Sequence, residues 1–455
     1  MLLLVASCKT DGGKRAKNDP VSVEKKLTDE QLLDLVEKQT FKYFWEYAEP
    51  NSGLPRERFF PDGYYPEDDS HVIAVGGSGF GLMSILSGIE RKYVTRDQAV
   101  TRLEKIATFL ERADRFHGAW PHWLNGNNAK VVPFGQKDNG GALVETSLLC
   151  EGIICVREYF KDGSAREKEL AQKFDALWKG VDYNWYTNNS QKLYWHWSPN
   201  YHWEMNFPLE GYNETMITYV LGAASPNYAI NPSVYHNCWA RGGSIPTDEK
   251  VNGIPVILKH NGAEMGGPLF WTHYSYVGLD PTGLSDQYAD YWKLNHNQVK
   301  INYDHCVANP GKFKCYGPDY WGLTASYSLN AEGTIGYDSQ KHIGYNAHMP
   351  GNDHGIISPT AGVSSVVYMP KESIALMRNL YENHNVESWG IAGFYDAISC
   401  QYKASAPQYL AIDQGPMVVM IENHRSGLLW KLFMNAPEVR AGLLKLGFHS
   451  TKYNF

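Results

Sequence analysis

Two kinds of helix signal alternate along this chain, and that alternation constrains the fold more than any other feature. One kind opens with Ser or Thr followed three residues later by Gln or Glu: Thr28 with Gln31, Thr95 with Gln98, Ser164 with Glu167. In this pattern each side chain satisfies the other residue's free backbone N–H at a helix start. Apolar residues then recur at helical spacing, as in Leu32, Leu33, Val36, Phe41, Phe44 and Trp45, in Ala99, Leu103, Ile106 and Leu110, and in Phe174, Leu177, Trp178 and Val181. A single apolar stripe predicts a helix with one face in water. The second kind, at about 79–90, 142–160, 212–222 and 409–421, is apolar or small on nearly every side. Such helices need neighbours all round.

Outer amphipathic helices alternating with inner apolar ones are what an all-α toroid of paired helices requires, with a helical bundle array as the alternative. Further helices are expected over 285–294, 371–381 and 437–446. Strand signals are few. Lys192–Trp197 and Ile254–Leu258 are the best of them, and both read as hairpins in long loops. The stretch 183–212 carries ten Trp, Tyr and Phe residues amid Pro, Asn and Gly, and loops so long and aromatic usually have a function. No internal linker or low-complexity segment divides residues 27–455, which read as one domain.

The first 26 residues read differently. Leu2 to Cys8 is a short apolar leader ending in Val-Ala-Ser-Cys, the form of a bacterial lipobox, so acylation at Cys8 and removal of residues 1–7 are expected. Residues 9–26 are polar and suit a flexible tether. The expectation is an exported periplasmic or outer-membrane lipoprotein of a Gram-negative envelope, touching membrane only through Cys8. No stretch of eighteen apolar residues predicts a membrane-spanning helix.

Charge narrows the partners. With 42 basic and 49 acidic side chains and no cluster of Lys or Arg, the chain is not built to bind nucleic acid. No CxxC or HExxH occurs, so no metal or other cofactor is expected. Cys306 and Cys315 flank Asn309-Pro310-Gly311, a turn that could bring them together, while Cys150, Cys155, Cys238 and Cys400 lie in apolar runs and read as core fillers.

Hydrolysis of a glycan needs one carboxyl that donates a proton to the leaving oxygen and one that activates water or attacks carbon. Asp138, in Gln-Lys-Asp-Asn-Gly-Gly, precedes an apolar helix signal; Glu145 lies in its first turns; Glu214, in Glu-Gly-Tyr-Asn-Glu-Thr, opens another. Acidic residues at helix starts often do no more than complement the macrodipole. Glu145 and Glu214 stand apart because their neighbours are apolar, and a buried carboxyl needs a reason.

Sugar rings also need aromatic faces. Trp45, Trp178 and Trp430 fall at helical spacing and read as core. Trp120, His122, Trp123, Trp195, Trp203, Tyr212, Trp271, Tyr276 and Trp389 lie near Gly- and Pro-rich loops and are candidates for substrate contact. Asp413, in Asp-Gln-Gly-Pro within an apolar segment, is either part of a buried structural network or on the inner rim of the site. Gly76-Gly77-Ser78-Gly79-Phe80-Gly81 lacks the Lys of a phosphate loop and reads as close helix packing. Asp353-His354-Gly355 near Ser358 has no GxSxG elbow to make a triad.

Gly77–Leu82, Asp138–Glu145, Glu210–Glu214, Pro268–His273 and Tyr409–Pro416 together resemble the glucoamylase-like family that contains the β-1,2-glucanases of glycoside hydrolase family 144. The resemblance covers nearly all the chain after residue 28. It implies an (α/α)6 toroid, no metal, and inverting hydrolysis of β-1,2-glucan by endo cleavage or exo release of sophorose. Carried onto this chain, it gives Asp138, Glu145 and Glu214 as the acidic residues important for activity. Glu214 would be the general acid, and Asp138 with Glu145 would position or activate water. The chain departs from endo-acting relatives at Ala142, where they carry a further acidic residue, which leaves the cleavage mode open. Hydrolysis of another glucan linkage such as α-1,4, and non-catalytic glycan capture, are the alternative readings.

Overall fold

The structure, a computed structural model, describes residues 26–65, 67–263, 265–328 and 345–455. Cys8 and the expected tether up to residue 25 lie outside the described residues.

The described chain is rich in helix. The α-helices are α1 (Asp29–Trp45), α2 (Val75–Glu90), α3 (Arg96–Arg112), α4 (Leu143–Phe160), α5 (Ala165–Lys179), α6 (Met216–Ala224), α7 (Tyr291–Ala308), α8 (Pro359–Val363), α9 (Pro370–Glu382), α10 (Asn385–Ser388), α11 (Ala411–Arg425), α12 (Leu428–Asn435) and α13 (Pro437–Lys445). Thr28, Thr95 and Ser164 cap α1, α3 and α5 with the reciprocal hydrogen bonds their spacing predicts. These three helices present buried stripes on one side only. In contrast, α2, α4, α6 and α11 are buried along almost their whole length.

The buried helices pack on one another in sequence: α2 on α4, α4 on α6, α6 on the 3-10 turn Tyr274–Tyr276, and α11 on both α8 and α2. Outside them lie α1 against α2 and α11, α5 against α4, and α9 against α8. The glycines of α2 serve this packing. A Cβ on Gly79 would sit 1.9 Å from the Leu148 carbonyl oxygen of α4, and one on Gly152 of α4 would sit 2.2 Å from the Gly79 oxygen. The two backbones touch, as the Gly-rich run predicts.

Three expectations need correction. Residues 192–197 do not form a continuous strand: Tyr194 makes an isolated antiparallel bridge with Pro208 across a long loop, and His196–Trp197, the one strand in the segment, pairs with Gly141–Ala142 more than fifty residues earlier in the chain. Residues 254–258 do form one, with Pro246–Val251. The helix expected at 285–294 begins only at Tyr291, because Leu284–Ser285 pairs with His449–Ser450 near the C-terminus. Cys315 bonds to Cys400, 85 residues away, and Cys306 is a buried free thiol inside α7. Cys400 is therefore not a core filler, and the Asn309-Pro310-Gly311 turn does not join its flanking cysteines.

A candidate active site at the helix N-termini

A cavity of about 510 Å³ opens where the N-terminal ends of α2, α4, α6 and α11 converge. Four carboxyls reach it: Glu57, Asp138, Glu145 and Glu214.

Asp138 sits in a tight turn with Gly135 and not on a helix, since α4 starts only at Leu143. Its Oδ2 accepts a hydrogen bond from His122 Nδ1 at 3.0 Å, and His196 Nε2 stands 3.1 Å from the same oxygen. The pairing of Ala142 with His196 is what delivers that second ring. Burial alone would raise the proton affinity of Asp138, but the two imidazoles beside it win and hold it well below the usual carboxylate range.

Glu145, in the first turn of α4, crosses to α2, where its Oε2 accepts from Gly76 N at 3.2 Å. Its Oε1 lies 3.6 Å from His122 Nε2. Burial also acts on His122, lowering its affinity for protons, yet the charges of Glu145 and Asp138 outweigh it and the imidazole pKa is raised.

Glu214 precedes α6. The Ser275 hydroxyl donates to the Glu214 carbonyl and accepts from Ile217 N at 3.0 Å, which clamps the chain at this corner. Burial, reinforced by the negative charge of Glu145, pushes the Glu214 carboxyl up to about 7. Glu57 is also raised, by burial, against the pull of Arg58 beside it. Arg58 is held by Glu57 and by Asp69 Oδ2 at 3.3 Å.

His122, Asp138 and His196 bring three possible ligand atoms within 4.8 Å of one another. One carboxylate oxygen faces both rings here, and that arrangement reads as a proton network.

Aromatic side chains complete the walls. Phe134 lies flat on His122, with centroids 4.0 Å apart and 3° between the planes. Trp123, Trp195, Phe207, Tyr274 and Tyr327 line other sides.

Of the residues singled out in the sequence, the cavity gathers Asp138, Glu145, Glu214, His122, Trp123 and Trp195. Trp120, Tyr212 and Tyr276 do not reach it; each is fully buried in the core. Trp120 gives its indole N–H to Leu110 O, and Tyr212 donates to Asn295. Trp203 packs with Trp185 and Tyr194, Trp271 lies beside Phe270 and His260, and Trp389 packs on Phe394 and Tyr381, all outside the cavity lining. Asp413 is buried and outside the cavity lining; burial raises its proton affinity and the nearby Asp396 adds to the rise, while the hydrogen bond between the two carboxyls works against the rise that burial imposes on Asp396. Of its two readings, the buried network with Asp396 is the one the fold supports.

Glu57, Arg58, His196, Phe134 and Phe207 are site residues that the sequence reasoning did not select. His196 lies within the strand signal at Lys192–Trp197. Its partner strand, which carries the chemical information, is not readable locally.

Known proteins resemble this chain over most of its length. Residues 206–437 match the family model described as "Putative glucoamylase". The solved structure of an endo-β-1,2-glucanase from Chitinophaga pinensis, in complex with sophorotriose and glucose, is 55 % identical, with 94 % of this chain and all of that one covered and a TM-score of 0.90. The chain belongs to the glucoamylase-like glycoside hydrolases of family 144. Another relative is an exo-β-1,2-glucooligosaccharide sophorohydrolase of Parabacteroides distasonis, 42 % identical over 438 residues; the match takes in 92 % of this chain but only 58 % of that longer protein. An endo-β-1,2-glucanase of Talaromyces funiculosus shares the fold at 12 % identity and a TM-score of 0.65.

Proposed function

We propose that this protein hydrolyses β-1,2-glucan with inversion, with Glu214 as the general acid and Asp138 with Glu145 on the side that positions and activates water. One observation carries the reading: in a single cavity, burial holds Glu214 ready to give a proton while two imidazoles keep Asp138 ionised. Inverting hydrolysis asks for that division of labour. Water adds to the anomeric carbon as the glycosidic bond breaks, its proton passes to the base carboxylate, and the Glu214 proton goes to the leaving oxygen. The two relatives named for β-1,2-linked glucan support the linkage, one acting endo and the other exo.

The frame we propose is an (α/α)6 toroid. Its inner members would be α2, α4, α6, the turns at 269–276, the segment 359–367 and α11. The packing order of the buried helices supports it. An envelope lipoprotein acylated at Cys8 is the proposed setting, on the strength of the Leu2–Cys8 leader.

Product analysis on a panel of polysaccharides tests the function. The expected result is oligosaccharides or sophorose from β-1,2-glucan, released first as the α-anomer, and loss of product in Glu214→Gln and Asp138→Asn. Cleavage of another glucan alone would overturn the linkage, and retention of intact polymer would make the protein a glycan-capture module.

A further inference from the structure

We infer that His122 bridges Asp138 and Glu145 and acts as the positioning residue of the water-activating side. The inference rests on the proposed function above and gives His122 a role distinct from holding sugar.

The geometry leaves the ring little choice. Nδ1 gives its hydrogen to Asp138 Oδ2 at 3.0 Å, so a second proton can sit only on Nε2, which faces Glu145 Oε1 at 3.6 Å, an ion-pair distance. Phe134, parallel to the ring at 4.0 Å, covers one face, and Trp123 stands edge-on to Phe134 at 4.9 Å. A flip of the imidazole would break the bond to Asp138.

The groups that face His122 come from every element around it. Asp138 belongs to the 135–138 turn, Glu145 to α4, His196 to the strand 196–197 and Glu57 to the loop before α2. Glu57 is offset by its own neighbour Arg58. Asp138 and Glu145 are then two carboxyls within reach of one imidazole, and a charged ring between them neutralises part of their mutual repulsion. It also restrains their orientation, because Asp138 is hydrogen-bonded to the ring and Glu145 lies at ion-pair distance from its other nitrogen. Without it, Asp138 would lose one of the two imidazoles that hold its proton affinity down.

The test is the pH dependence of kcat/KM on β-1,2-glucan oligosaccharides for the wild type and for His122→Gln, which retains a hydrogen-bond donor but carries no charge. The expected result is an acidic limb displaced upward by about one pH unit, an unchanged alkaline limb, and a fall in kcat of roughly 10- to 100-fold with little change in KM. An acidic limb that stays in place overturns the proposal, whatever happens to the rate.

Nitrogen-15 NMR of the wild-type ring covers the case in which the variant does not fold. Both ring nitrogens protonated at pH 7 is the expected state, and a neutral ring at that pH overturns the bridge. If the wild type cleaves no glucan, the proposed function fails, while the NMR result still reports on the bridge.

Discussion

Glu214 and Asp138 are both carboxyls in one cavity, and their surroundings send them in opposite directions. Glu214 has apolar neighbours and the negative Glu145 near it; Asp138 has two imidazoles. The alkaline limb of activity is expected to fall as Glu214 loses its proton near pH 7, and Glu214→Gln is expected to lower kcat by about 10²- to 10⁴-fold. Stability follows with a definite sign. In the unfolded chain Glu214 titrates near 4.5 and in the fold at about 7, so the folded state binds more protons between these values. Stability from the neutral carboxyl is complete below the lower value and lost as pH rises through the upper one. Glu214→Gln should therefore raise the melting temperature relative to wild type at pH 8 and change it little at pH 4.5, measured by calorimetry. Equal shifts at both pH values would contradict the raised affinity. Glu145 and Glu214 were legible in the sequence because carboxyls among apolar neighbours are costly, and Asp138 by its place just before an apolar helix signal. Tryptophans were harder to judge: Trp120 and Trp195 sit in similar loop contexts, yet one packs under α3 and the other faces the cavity.

Helix-to-helix contact sets the tolerances at the next scale. Because a Cβ on Gly79 would meet backbone atoms of α4, no rotamer change can relieve it. Gly79→Ala is expected to cost about 3 kcal/mol or more in urea denaturation. Thr95→Ala, which removes only the reciprocal cap of α3, should cost about 1 kcal/mol in the same measurement. Both helices were legible for the same physical reason: their signals are local. Helix α7, 18 residues long, was legible only in its first turn. Its buried side mixes apolar residues with amides, among them Asn302 and Gln298 bonded to the backbone of Leu323 and Gly267. Apolar periodicity cannot find a helix that buries amides. Its start was misread as well, because Asp290 caps it after a strand whose partner lies near the chain's end.

Over the whole molecule, the Cys315–Cys400 bond ties together two loops 85 residues apart. Replacing both cysteines by serine is expected to cost roughly 4 kcal/mol through the freedom regained by the unfolded chain, seen as a lower denaturation midpoint that added reductant does not shift further. Wild type should move toward the variant when reduced. Helix caps, apolar stripes, the all-round apolar segments and the isolated carboxyls were determined by the sequence alone, since each depends on residues within one or two turns of one another. Tertiary structure decided which cysteine Cys315 meets, which aromatic rings reach the cavity, and that His196 and His122 converge on Asp138. These depend on contacts between residues far apart in the chain. The proton affinities depend on them too, because burial and neighbouring charge act through space and leave no local pattern to read.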